Sequence, residues 1–293
     1  MTSQQWTPGK LATRDFNVSD LLSCYPLSDA DANKFAVFDI AERSNIEPSH
    51  TFEYARWSSE GWQAAYHRSA LPHIEVVDGS FRYEGAPDTW HLNFADPRLF
   101  AYYKTELFAQ DEIQVAEHPS LGSLRERLLI GGSEPRTVDA GLPTPCTVTG
   151  VPRQCRVDIE PNKDAPHGLY GNRFAAAHRD VIERRTHCIS PPTLSNILAI
   201  AAPECGVGTY TGDEIEYILA TLVTGFSAAR ATTGGSLRIM TGFWGCGAFG
   251  GNRVLTPALQ IVAAAWAGIH TLVFHTFDSR GNDDIASAQH LAN

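Results

Sequence analysis

The chain has 293 residues, enough for one large domain or a domain with an appendage. Hydrophobic residues make up 43% and charged residues 19%, so a sizeable core is available, and a formal net charge of −10 argues against a nucleic-acid surface as the main partner. Six cysteines (Cys24, Cys146, Cys155, Cys188, Cys205 and Cys246) contain no C-x-x-C pair, which reads as reduced thiols in a cytoplasmic protein without a zinc site. No stretch has the length and apolarity of a signal-peptide core or a transmembrane helix, so no membrane partner is expected.

Residues 1–70 read as an accessory segment, mixed and mostly helical. Residues 19–25 and 29–43 have helical apolar spacing, with Ser28 and Asp29 as candidate caps. Residues 50–67 are rich in aromatic side chains (Phe52, Tyr54, Trp57, Trp62, Tyr66) and read as core sooner than as a pocket lining. From residue 71 to 293 the pattern becomes that of an α/β domain. Strands are expected at residues 74–77 and 90–94, then a polar helix over 103–116 that Pro119 stops, and a strand at 127–130. Residues 131–175 are rich in Pro, Gly and Thr and read as a long functional loop or insert. Residues 174–184 read as a helix, 197–202 as an apolar strand and 213–229 as an amphipathic helix.

The C-terminal unit is the most informative. Residues 237–240 are a short apolar run, residues 242–251 hold five glycines, residues 257–268 have helical spacing closed by Gly268, and residues 271–277 form a β-branched and aromatic run. Strand, glycine loop, helix, strand implies two parallel strands. Glycines let backbone N–H groups approach an anion, and the helix behind adds the positive end of its dipole. Gly245, Cys246, Gly247, Ala248, Phe249 and Gly250 are therefore candidate phosphate-binding residues. The spacing Gly245, Gly247, Gly250 also fits the dinucleotide pattern G-x-G-x-x-G, for which Asp278 stands where a ribose-binding acid is required. A tight turn with no ligand has the same composition.

The wording TGFWGCGAFGG at 241–251, with residues 258–265 behind it, closely resembles the C-terminal part of the poly(ADP-ribose) glycohydrolase family, which reads TGNWGCGAFGGD. Phe243 stands for the family asparagine and Asn252 for its aspartate. A second resemblance lies upstream. The family has D-F-A-N, a three-glycine loop, then Q-E-E; this chain has Asn93-Phe94-Ala95-Asp96 and, 16 residues after Phe94, Gln110-Asp111-Glu112. The resemblance implies a macrodomain-like three-layer α/β/α sandwich with a mixed sheet, residues 71–293 being the ADP-ribose-binding catalytic domain and 1–70 the N-terminal helical accessory segment. It implies Glu112 as general acid and base, Asp111 as its ribose-orienting neighbour, and Asn93, Asp96 and Gln110 in the same site. It also sets Glu84 against the adenine and Phe249 against the distal ribose.

Cleaving a ribosyl bond requires a proton on the leaving oxygen while the sugar carbon becomes oxocarbenium-like, so one well-placed carboxyl suffices for both proton steps. The chain departs from the family in three places. Phe100-Ala101-Tyr102 replaces the glycine triplet, Asp96 replaces an asparagine, and Thr149-Gly150-Val151 lacks the family tyrosine that covers the site. These departures point to a terminal or small NAD-derived ADP-ribosyl substrate in place of internal polymer bonds. No cofactor and no metal are expected. A non-catalytic ADP-ribose-binding module and a nicotinamide oxidoreductase are the alternatives.

Overall fold

The computed structural model describes residues 5–66, 70–83, 85–204 and 209–293. In chain order the elements are β1 (Lys10–Asn17), α1 (Val18–Cys24), α2 (Ala32–Ala41), β2 (Thr51–Trp57), β3 (His73–Val77), β4 (Thr89–Ala95), α3 (Gln110–Glu117) and α4 (Ser120–Ile130). Then come β5 (Val138–Asp139), β6 (Leu142–Pro143), β7 (Cys146–Val157), α5 (Asn172–Ala176), α6 (Arg179–Arg185), β8 (Thr186–Ala201) and α7 (Gly212–Thr233). The chain closes with β9 (Arg238–Gly242), α8 (Leu255–Ala267), β10 (Thr271–His275) and α9 (Gly281–Ala292).

One eight-stranded mixed sheet runs β1-β2-β7-β8-β4-β9-β10-β3. The five strands from β8 to β3 are parallel, and β1, β2, β7 and β8 pair antiparallel. One face carries α1 to α4 and α6 over an apolar cluster that includes Leu21, Val37, Leu124 and Ile182. The other face carries α7, α8 and α9 over a cluster that includes Phe226, Ala264 and Ile285. This is the expected three-layer sandwich. The parallel pairing of β9 with β10 also follows the expectation, and Gly268 ends α8 in the left-handed conformation at φ 71.

The N-terminal segment holds α1 and α2 as read, with Asp31 as the cap of α2, and in addition supplies β1 and β2 to the sheet. Phe52, Tyr54 and Trp57 of β2 are buried, as the core reading expects, whereas Trp62 is half-buried and Tyr66 is 71% exposed. β1 escaped notice because it is a polar edge strand with Phe16 as its single buried residue.

Four expectations are corrected. Residues 127–130 belong to α4, not to a strand, since Leu121, Leu124 and Leu128 recur at helical spacing and are all buried. The helix expected over 103–116 begins only at Gln110, because residues 103–109 form turns anchored by the buried Tyr103 and Phe108. The supposed loop of residues 131–175 contains β7, a twelve-residue strand in the middle of the sheet. Its Gly150 falls where the register with β8 shifts between Thr149 and Val151, its Pro152 stays paired with Leu194, and neither reverses the chain. Likewise β8 begins at Thr186, well before the apolar run, because its first half extends past the sheet as an arm with β7.

Candidate active site

The site arises where β4 and β9 part. They pair only over Thr89–His91 of β4, so the backbone groups beyond His91 on that side lack a strand partner. Gln110, the first residue of α3, supplies one. Its amide donates to the Leu92 carbonyl oxygen at 2.9 Å and its Oε1 accepts from the Phe94 N–H at 2.8 Å. The helix N-terminus is thereby fixed in a crevice at the carboxyl ends of parallel strands, the usual ligand position in α/β sheets.

The two following residues are the carboxyl pair. Asp111 and Glu112 are 6% and 3% exposed. Asp111 Oδ1 accepts from Asn93 Nδ2 at 2.8 Å. Glu112 Oε2 accepts from the Ala109 N–H at 2.9 Å, reaching back over the first turn. Burial, followed by the neighbouring Glu112 carboxylate, pushes Asp111 up to about 8. Burial also raises Glu112, while the Lys34 ammonium opposes that rise. At neutral pH the pair therefore retains a proton that two exposed carboxyls would have lost.

The glycine loop faces this pair across a cleft of about 1090 Å³. Gly245 has φ 74, and a Cβ on it would lie 2.6 Å from Ala202 Cβ, so only glycine fits. Trp244 is buried and donates to the Ile200 carbonyl at 3.0 Å, anchoring the loop to the end of β8. Gln260 of α8 ties the end of β9, taking the Thr241 hydroxyl at 2.6 Å and donating to Gly242 O at 3.1 Å. Among the described residues the amides of Gly247, Ala248 and Phe249 donate to no carbonyl, and a Cβ on Gly247 would meet nothing within 4 Å. Such a row of free N–H groups on open space suits an anion. Asn252 Oδ1 accepts from the Val254 and Leu255 amides at 2.9 Å each, covering the start of α8.

The cleft brings together Asp96, Gln110, Asp111, Glu112 and the loop residues Gly245 to Phe249. Two expected contacts differ. Asn93 does not line the cleft, because its side chain is spent on Asp111, and Gly250 shapes the turn behind the loop at φ 70. Glu84 lies outside the described residues. The charge of Asp96 is offset by Arg98, whose N–H and Nε reach Asp96 Oδ1 at 2.9 and 3.4 Å. Asp278 is bound through both oxygens to Arg253 at 2.7 and 2.9 Å, which lowers its pKa and engages both of its acceptor oxygens. That arrangement disfavours the oxidoreductase reading.

The replaced glycine triplet is also corrected in detail. Phe100 keeps the left-handed backbone at φ 54 and turns its ring into the core, fully buried. Of the three residues, Tyr102 lines the cleft, and its hydroxyl accepts from Arg98 Nη2 at 2.8 Å. Tyr170 and Phe277 both line the cleft and meet with ring centroids 4.9 Å apart. Phe277 sits at φ 62, strained for a bulky residue. Its place just beyond the carboxyl end of β10 was the available sequence signal; Tyr102 was marked by its place in the replaced glycine triplet, and Tyr170 carried none. Among the described residues no group of three His, Cys, Asp or Glu side chains could hold a metal ion.

Sheet order, layers and cleft define a macrodomain-type protein. Residues 168–284 match the model of the family described as poly(ADP-ribose) glycohydrolase (PARG), Macro domain fold. No curated protein matches it. The fold is shared with poly(ADP-ribose) glycohydrolase from Thermomonospora curvata, at 14% identity and a TM-score of 0.56 over 89% of this chain and 98% of that one. The same enzyme bound to the inhibitor ADP-HPD aligns at 15% identity with the same TM-score and coverage of 89% and 98%.

Proposed function

We propose that this protein hydrolyses the ribosyl glycosidic bond of an ADP-ribosyl group, acting on a terminal or small substrate. The observation that carries the reading is the buried, proton-retaining pair Asp111 and Glu112 facing the free amides of the Gly245 loop across one cleft. The family match and the inhibitor in the Thermomonospora curvata enzyme support it.

The loop amides hold the diphosphate, and Phe249 packs on the distal ribose. Asp111, oriented by Asn93, takes the ribose hydroxyls. Glu112 gives its proton to the leaving oxygen as the bond to the anomeric carbon breaks. Water then adds to the oxocarbenium carbon and returns a proton to the Glu112 carboxylate. Tyr102 fills space at the wall where the family has glycine, and this favours a chain end over an internal linkage.

The test offers protein bearing single ADP-ribose groups, and long poly(ADP-ribose), to the wild type and to Glu112→Gln. The expected result is release of ADP-ribose from the first substrate, with the variant slower by about 100-fold or more and its ADP-ribose affinity in calorimetry unchanged. Binding without any turnover in the wild type would leave an ADP-ribose-binding module in place of an enzyme.

A further inference from the structure

Lys34 is on α2, the helix that packs against α3, and it is fully buried. A buried ammonium is costly unless its protons and charge are satisfied. Its Nζ donates to the Tyr102 carbonyl oxygen at 3.0 Å, which accounts for one of three protons. Asp111 and Glu112, at the head of α3, are held by an amide and a backbone N–H and not by a cation. Among the described residues, then, two buried acids with no bonded cation and one buried cation with no bonded acid lie on adjoining helices, and Arg125 of α4 acts on Asp111 only through space.

Burial lowers Lys34 to about 8, and the carboxylates of Glu112, Asp111 and Asp31 hold it up, in that order. The effect is mutual, since the Lys34 charge works against the rise of both carboxyls. Asp96 acts on the pair in the opposite sense. No charged group of α6, β7 or β8, which also pack on α2, is among those acting on Lys34.

We propose that Lys34 is a positioning residue for the carboxyl pair: its single buried charge keeps one carboxyl ionised and one proton on the pair, and its bond to Tyr102 fixes the cleft wall beside them. The consequence for turnover rests on the hydrolase reading; the electrostatic coupling does not. With no cation both carboxyls would hold protons. A direct ion pair would favour full ionisation and remove the donor. A charge held on the Tyr102 carbonyl and bonded to neither carboxyl leaves the pair half protonated.

The test is a carbon-13 NMR titration of the Asp111 and Glu112 carboxyls in the wild type, Lys34→Met and Lys34→Arg. Lys34→Met is expected to raise the pair's titration by on the order of one pH unit, with most of the shift reversed in Lys34→Arg. An unmoved titration in a folded Lys34→Met protein overturns the proposal. If that variant does not fold, the Lys34 amine is titrated in the wild type and in Glu112→Gln. Coupling is reciprocal, so the amine must titrate lower in Glu112→Gln, and an unchanged value overturns the proposal. Where the wild type turns over substrate, Lys34→Met moves the pH profile of kcat upward. A wild type without turnover refutes the hydrolase reading and leaves the carboxyl titration to judge Lys34.

Discussion

Two glycines of one loop separate structural need from ligand need. Gly245 is required by the fold: its backbone is left-handed, and a Cβ would overlap Ala202. Gly245→Ala is therefore expected to destabilise the protein by about 2 kcal/mol or more, measured by urea unfolding. Gly247 is required by nothing in the chain, since the space beside it is open. Gly247→Val is expected to change stability by less than about 0.5 kcal/mol while weakening ADP-ribose binding about tenfold in calorimetry. Equal affinity in that variant would move the phosphate site away from the loop. Gln110 illustrates the same division. The motif resemblance marks it as a site residue, and the structure shows that its amide completes the edge of β4.

At the scale of elements, α4 and β7 are the places where pattern and structure part. Residues 127–130 hold two leucines and an isoleucine, which fit a short strand as well as a helix. In a strand Leu128 and Ile130 would share a face; in α4 they do not, and they are 2% and 72% exposed. Leu128→Ala is expected to cost about 2–5 kcal/mol and Ile130→Ala less than about 0.5 kcal/mol, read from thermal or urea unfolding. Equal effects would restore the strand. β7 hides its nature because Gly150 and Pro152 sit within it, and local rules read both as breakers. Gly150 is tolerated because the register with β8 shifts there, and Pro152 stays paired with Leu194 between that shift and a second one at Arg153–Cys155.

At the scale of the molecule, buried titratable groups set how stability varies with pH. The folded Asp111 is raised from 3.8 to about 8, so its contribution is full below the lower value and is lost as pH rises through about 8. His91 and His275, held down at about 3 and about 4 by burial, act in the opposite direction, but only below 6.5, where they would be charged when unfolded. The clear window is therefore pH 6.5 to 8, in which the Tm is expected to fall. Lys34 then reverses the trend: lowered from 10.5 to about 8, it favours the folded state as pH rises from 8 towards 9, above which the buried thiols of Cys146 and Cys155, raised from 9.0 by burial, act against it. Above the ordinary tyrosine range the raised Tyr54 and Tyr103 turn stability down again. A Tm minimum near pH 8 is expected, with Asp111→Asn flattening its acid side; a Tm that rises steadily from 6.5 to 8 would contradict the burial of that acid.

What the residues alone determined was local. Strand, glycine loop, helix and parallel strand follow from composition and period over residues 237–277, and the spacing of Phe94 from Gln110 marks the carboxyl pair. Glycine chemistry and helical period act within a few residues, so they can be read along the chain. The tertiary structure decided whatever needs partners distant in sequence. It joined β1 and β2 to the sheet, turned Phe100 into the core, spent Asp278 on Arg253, and set Tyr170 against Phe277. It also buried Lys34 beside acids more than seventy residues further along the chain, and no linear pattern distinguishes that lysine from one in water. Charge acts through space and through the local dielectric, and only the packed chain sets both.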